Sequence, residues 1–394
     1  MASARIRYTR AVRGAPGSLV GSGARVPGAP DTANAVRALP ALAPGRRGRI
    51  EGTEGAYAGW AGTGPPLTLL LFIAGVIASL AASFVLVTRL ERLGQRFGAP
   101  EAVLGLVTAL AADSPEISTA LAAITSGQRD VGVGVVLGSN VFNLAALLGL
   151  SALVAGRIAL HRRVVVFEGF VALWVALMTV AVAARVVSPG LGLLLTLVVF
   201  APYVVVSSVP PVDRHRLPLP ARVREWLASA VNEEEIELLA AIHPKRGRWT
   251  DAAAAVVALA VVVAASTVME RSASTLGVRW GASTIVVGGI VLAAVTSLPN
   301  AVAAVYLASR GRASATLSEA LNSNALNAIV GLMIPAVVLH VGRLSAGGLV
   351  TAGWYAGMTL LTLALTYTIR GLDRRTGSLI IAGYLAFVVV LLST

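Results

Sequence analysis

Ten apolar runs recur between Leu67 and Ser393, and each is close to the length that crosses a lipid bilayer as a helix. A helix needs about 20 apolar residues to span about 30 Å of hydrocarbon. Because 56% of residues are hydrophobic and only 13% are charged, a water-soluble fold could not bury the apolar surface. We predict an all-α integral membrane protein with about ten transmembrane helices, at 67–88, 101–126, 131–156, 164–187, 190–209, 250–269, 281–308, 314–341, 348–369 and 377–393.

Two polar stretches divide the chain. Residues 1–66 are rich in Gly, Ala, Pro and Arg, which predicts a disordered tail. The polar stretch 210–249 predicts a linker between two five-helix halves, at 67–209 and 250–394. The loops after the odd-numbered helices hold most of the Lys and Arg residues outside the tail, which predicts a cytoplasmic linker and both termini outside the plasma (inner cell) membrane. The net charge of +13 is therefore assigned to orientation, and no nucleic-acid partner is expected.

One motif occurs twice, and the two copies match without a gap. The first copy has Ser-Pro-Glu at 114–116 and Gly-Ser-Asn-Val-Phe-Asn at 138–143; the second has Leu-Pro-Asn at 298–300 and Asn-Ser-Asn-Ala-Leu-Asn at 322–327. In both copies Pro precedes Ser by 24 residues, and Gly127 aligns with Gly311 at the helix connection. The copies begin in the second and seventh helices and so enter the membrane from opposite sides. This pattern predicts two inverted-topology repeats, as in many secondary transporters.

Each copy places a proline and several oxygen-bearing side chains inside a membrane helix. Pro115 and Pro299 each free a backbone carbonyl about one turn upstream. In lipid that carbonyl needs another partner, which can be an ion. Hydroxyl, amide and carboxylate oxygens suit sodium, calcium or magnesium. Glu116 and Asp113 are ionisable groups inside a span, which favours a functional role over the alternative of helix-packing hydrogen bonds.

These motifs resemble the α-repeats of the sodium/calcium exchanger superfamily, which carry a G-T-S-x-P-E-like motif and then G-S-N-x-x-N or -D in each half. The resemblance implies ten helices in inverted halves, a cytoplasmic central loop, and α-repeats at 101–156 and 281–341. It also implies that the protein moves inorganic cations across the bilayer and uses no cofactor besides the transported ions. By position, the implied ion-binding residues are Glu116, Ser139, Asn143, Thr296, Ser297, Asn300, Ser323 and Asn327.

The chain departs from the family pattern at its acidic positions. Asn300 stands where members that move calcium usually have a carboxylate, and Asn327 stands where some have Asp. Asp113 stands where the family usually has Ser, and Ser114 beside it joins the candidate ion-binding residues. We hypothesise that Asp113, with Glu319 as an auxiliary, replaces the lost charges; alternatively, Glu319 pairs with an arginine at 310 or 312. The predicted metal ligands are Glu116, Asp113, Asn143, Asn300 and Asn327.

These observations predict a secondary active antiporter, and not an enzyme. It would exchange calcium or another cation for sodium or protons by alternating access. Because the second half has amides at Asn300 and Asn327, a monovalent cation/proton exchanger on the same fold is one alternative. A transport-inactive membrane scaffold or sensor is the other, and ion binding to the purified protein would separate it from both exchangers.

Overall fold

The computed structural model describes residues 64–97, 101–209, 220–222, 225–227, 247–339 and 343–394. The tail predicted at 1–66 and the linker predicted at 210–249 therefore lie largely outside the described residues. The first helix begins at Pro65, inside the stretch assigned to the tail.

Helices make up nearly all of the described chain, as predicted. We number them α1 to α12, and they are Pro65–Phe97, Glu101–Ala112, Ser114–Thr125, Arg129–Ala155, Arg162–Ala183, Pro189–Ser208, Trp249–Trp280, Thr284–Thr296, Leu298–Ser309, Ala313–Val338, Ala346–Ile369 and Arg374–Leu392. Eight are long and apolar enough to cross a membrane alone, and the bent pair α8–α9 counts as a ninth span. The described residues thus give eight or nine candidate spans by length and composition, and the predicted ten segments when α2–α3 is counted because it holds the place equivalent to α8–α9.

The two halves repeat one arrangement at a constant offset. Asn140 and Asn324, which hold equal places in the two motifs, are 184 residues apart. At this offset α3 matches α9, with 12 residues each, and α1 matches α7, with 33 and 32 residues. Each segment and its counterpart are five positions apart in the order of membrane segments. Because five is an odd number, the two cross the membrane in opposite directions, and the halves are inverted. At the predicted helix connections, Gly127 and Gly311 have φ angles of +82° and +74°, a region that favours glycine.

Two segments that were predicted as continuous helices are interrupted at one residue. Asp113 separates α2 from α3, and Ser297 separates α8 from α9, where the chain bends by 47°. Each interruption lies two residues before a proline, which cannot donate to the carbonyl four residues back. The carbonyl released by Pro115 belongs to Ala111, and it accepts from Ser114 Oγ at 2.6 Å and from Ser83 Oγ at 3.0 Å. Two hydroxyl groups therefore donate to this carbonyl.

The segments that carry the second parts of the two motifs lie at the centre of the protein. In α4, 94% of the most apolar stretch is buried, against 28% in α1 and in α12. Both α4 and α10 change to π-helical geometry, at Leu144–Leu150 and Asn327–Met333. A lipid-facing shell of helices thus surrounds α4 and α10, which is the placement that an intramembrane site requires.

A short two-stranded sheet joins loops from the two halves. Strand β1 (Arg157–Ala159) follows α4, and strand β2 (Gly371–Asp373) follows α11. They pair antiparallel, with Ile158 opposite Leu372. The loops after the third and ninth membrane segments therefore lie on the same face of the membrane, as an even number of crossings between them requires.

Candidate ion-binding site

The two halves are joined at the centre by a pair of reciprocal hydrogen bonds. Asn140 Nδ2 donates to the Asn324 carbonyl oxygen at 3.0 Å, and Asn324 Nδ2 donates to the Asn140 carbonyl oxygen at 3.0 Å. Both residues are buried. Because the two asparagines are equivalent, this contact marks the pseudo-two-fold axis that relates the halves. Both belong to the duplicated motif, but sequence reasoning did not select them.

Asp113 reaches from the first half into the second. Its Oδ1 accepts from Asn300 Nδ2 at 2.7 Å and from Ser323 Oγ at 2.7 Å. Its Oδ2 has no hydrogen-bond partner, although the residue is fully buried. Asp113 therefore has a packing role at the helix interruption and also presents one unsatisfied carboxylate oxygen.

Glu116 lies less than one turn further along, on α3. It is fully buried, and neither carboxylate oxygen has a hydrogen-bond partner. The hydroxyl group of Ser297 lies beside this carboxyl group, and the charge of Asp113 acts on it. A buried carboxylate without partners is costly in a membrane. Because Ser297 belongs to the second half, this geometry fits both a hydrogen bond between the halves and a bound cation.

Amide and hydroxyl oxygens from the central helices complete the cluster. Asn143 Nδ2 donates to Ser323 Oγ at 3.2 Å and to Asn324 Oδ1 at 3.0 Å, which leaves its own Oδ1 without a partner. Further buried atoms without hydrogen-bond partners are Ser139 Oγ, Ser297 Oγ, Asn300 Oδ1 and both side-chain polar atoms of Asn327. The structure thus brings six of the predicted residues together, whereas the hydrogen bonds found among the described residues do not join Ser139 or Asn327 to them. The six are Asp113, Glu116, Asn143, Ser297, Asn300 and Ser323.

Two predicted residues make only local hydrogen bonds. Thr296 Oγ1 donates to the Leu292 carbonyl at 2.9 Å, and Ser114 Oγ donates to the Ala111 carbonyl. These hydroxyl groups are hydrogen-bonded to their own helices beside the two interruptions, and their bonds do not join them to the other predicted residues.

Glu319 lies at the edge of the cluster. It is half-buried on α10, one turn before Ser323, and the charge of Asp113 acts on it. The ion pairs found among the described residues do not include Glu319 with Arg310 or Arg312, and Arg310 instead stacks on the ring of Tyr306. The geometry is therefore compatible with an auxiliary role.

Two further buried carboxylates lie outside the set of predicted ion-binding residues. Glu168, on α5, accepts from Ser318 Oγ at 2.5 Å. Glu270, on α7, accepts from Ser274 Oγ at 3.0 Å. The sixth helix was predicted to end at 269, but α7 continues to Trp280, so Glu270 lies inside the span. An acidic residue inside an apolar segment was the signal that could have found both.

The oxygen donors of the cluster suit the reversible binding of a hard cation. Two carboxylates with neutral amide and hydroxyl oxygens match the donors that calcium and sodium accept. No group of three or more His, Cys, Asp or Glu side chains that could hold a metal occurs in the part of the chain that the structure describes.

Comparison with known proteins places this arrangement in context. The family model described as sodium/calcium exchanger protein matches residues 67–209 and 251–393, which are the two halves. Inner membrane protein YrbG of Escherichia coli (strain K12) is 27% identical over 280 residues, which are 69% of this chain and 80% of YrbG.

Two solved structures share the fold. The H+/Ca2+ exchanger CAX superposes with a TM-score of 0.60 at 14% identity, covering 86% of this chain and 88% of CAX. The sodium-calcium exchanger NCX_Mj superposes with a TM-score of 0.53 at 19% identity, covering 82% of this chain and 98% of NCX_Mj.

Proposed function

Because the chain belongs to the sodium/calcium exchanger protein family, we propose that it is a secondary active antiporter of the cell's plasma membrane. It exchanges calcium or another hard cation for sodium or protons by alternating access around the central cluster. Its linker at 210–249 faces the cytoplasm. The transported ions are its substrates, and it needs no other cofactor.

One observation carries this proposal: Glu116 is fully buried at the junction of the halves beside the neutral Ser297 hydroxyl group, and none of the ion pairs found among the described residues includes it. A carboxylate in that position requires either a proton or a cation, because burying its charge alone is too costly. Unsatisfied oxygens of Asp113, Asn143 and Asn300 supply the rest of a coordination shell. The inverted repeats support alternating access, because either half can open around a site that both halves share.

A monovalent cation/proton exchanger is the second candidate. It is favoured by the amides at Asn300 and Asn327, which lower the negative charge of the second half. The two candidates predict different cargoes, and the same transport assay separates them.

The test is ion flux into proteoliposomes that contain the purified protein. Uptake of radioactive calcium is measured against outward gradients of sodium, potassium or protons in turn, and sodium uptake is measured against a proton gradient. We expect gradient-driven calcium uptake that Glu116→Gln reduces about thirtyfold or more, the effect of removing a buried charge from its partner. The matched control is Glu91→Gln, which removes a carboxylate outside the cluster near the end of α1.

Three results would count against the proposal. Uptake that Glu116→Gln leaves unchanged would remove the site assignment. Sodium uptake driven by protons, without calcium uptake, would favour the monovalent exchanger. No flux of any cation and no cation binding would favour a transport-inactive scaffold or sensor.

A further inference from the structure

The cluster contains two contacts between the halves that the pseudo-two-fold axis relates. In the first, Asp113 accepts from Asn300 Nδ2 at 2.7 Å. In the second, Ser297 lies beside Glu116. Ser297 is the equivalent of Asp113, and Asn300 is the equivalent of Glu116, since each pair of positions differs by the same 184 residues. In both contacts, the residue two positions before the proline of one half therefore faces the residue just after the proline of the other half.

Each contact contains one carboxylate and one neutral residue, but the carboxylate stands at a different motif position in the two contacts. In the Ser297–Glu116 contact the acid follows the proline, whereas in the Asp113–Asn300 contact it precedes the proline. When the two motifs are aligned, the second half has Asn300 where the first half has the acid Glu116. In the folded protein this contact still contains one acid, because Asp113 is hydrogen-bonded to Asn300, the amide that stands at the position equivalent to Glu116.

We infer that each cross-half contact keeps one carboxylate. In the Asp113–Asn300 contact this carboxylate lies on the first half instead of the second, so that both contacts carry negative charge although the second motif is neutral. Asp113 and Asn300 then act as one unit that replaces a Ser and an acid. This inference rests on the proposed antiporter function for its cargo, but the pairing itself follows from the contacts alone.

The inference specifies the cargo class. Two carboxylates, one in each contact, carry the charge that balances a divalent cation in a region that excludes water. The carboxylate oxygens that could coordinate such a cation are the two of Glu116 and Oδ2 of Asp113, and all three are buried. The substrate is therefore a divalent cation of the calcium type, although the second motif is neutral.

The inference also makes a prediction opposite to that of the sequence alone. If Asn300 marked a missing ligand, Asn300→Glu would improve calcium binding. If Asp113 already supplies that charge, Asn300→Glu places two acids in one buried contact, where like charges repel. The single variant is then harmful, and adding Asp113→Ser rescues it by recreating the Ser–Glu composition of the other contact.

The experiment compares wild type, Asp113→Ser, Asn300→Glu and the double variant, each purified at full length. Melting temperatures without divalent cations test the pairing, and calcium affinity by equilibrium binding tests the cargo. We expect Asn300→Glu to melt below wild type and the double variant to recover most of the loss. We expect calcium affinity to fall about thirtyfold or more in Asp113→Ser, and to return to within about tenfold of wild type in the double variant.

Several outcomes overturn the inference. A double variant that melts no higher than Asn300→Glu refutes the pairing, whether or not the protein transports ions. An Asn300→Glu protein that binds calcium as well as wild type or better refutes it too. If wild type binds no divalent cation but the melting temperatures still show rescue, the pairing stands and the divalent cargo assignment fails, while the flux assay tests the antiporter function separately.

Discussion

A close backbone contact between two helices in the central region gives a prediction with a defined geometry. Gly138, on α4, precedes Ser139 and faces the backbone of α8. A Cβ atom added at Gly138 would lie 2.2 Å from the Gly289 oxygen and 2.5 Å from the Gly289 Cα atom. Ordinary contacts of a Cβ atom begin at 3.4 Å. Because the obstructing atoms are helix backbone, they cannot rotate away as a side chain could.

The substitution Gly138→Ala must therefore separate α4 from α8 by about 1 Å. Small residues allow such close backbone contact between membrane helices, and a larger residue removes it. We expect the free energy of unfolding to fall by about 1–3 kcal/mol, the usual cost of overpacking. The shift also moves Ser139 and Asn143 relative to the second half, and a misplacement of about 1 Å can reduce a rate about a hundredfold.

The assay combines thermal unfolding in detergent with ion flux in proteoliposomes. The matched control is Gly353→Ala on α11, where an added Cβ atom meets nothing within 4 Å. We expect the control to keep its flux and to melt at or slightly above wild type, because alanine is the better helix former. If Gly138→Ala matches the control in both measurements, the proposed tight contact between α4 and α8 is wrong.

Two further predictions concern the junction and the membrane surface. Asn140→Ala removes one of the two reciprocal bonds between the halves, so we expect it to lower the unfolding free energy in detergent by about 1 kcal/mol; an unchanged value would refute the stabilising role. The Thr376 backbone N–H donates to Asp373 and lowers the pKa of that carboxyl group below its usual 3.8. This contribution is therefore complete above pH 3.8 and is lost as the pH falls through the lowered pKa. The protection factor against hydrogen exchange at Thr376 should fall in acid more in wild type than in Asp373→Asn, and an equal fall would contradict the assignment.

Hydropathy and motif spacing predicted the ten segments and their inversion, because both depend on local composition and on counting. The prolines also indicated where two segments are irregular. They did not show that the helices are interrupted at Asp113 and Ser297, or that Ser83 binds the freed Ala111 carbonyl. That hydroxyl comes from another helix, and its position depends on tertiary packing.

The sequence suggested that Asp113 replaces a lost charge, but it did not show that Asp113 pairs with Asn300. Aligning the copies compares Glu116 with Asn300 and suggests that a charge was lost. The structure brings Asp113 to Asn300 across the interface, and no linear spacing encodes that distance. The same reason explains why Asn140 and Asn324 were overlooked, since each side chain binds the backbone of the other half.

The central claim is that one cation lies between Glu116 and Asp113, at the contact of the two halves. Anomalous diffraction from crystals grown with Sr2+, a calcium analogue, tests it directly. We predict an anomalous peak within about 3 Å of oxygens of both carboxylates, close to the metal–oxygen distances of calcium sites. A strong peak elsewhere in the membrane region, or none at a Sr2+ concentration that saturates binding, would contradict the claim.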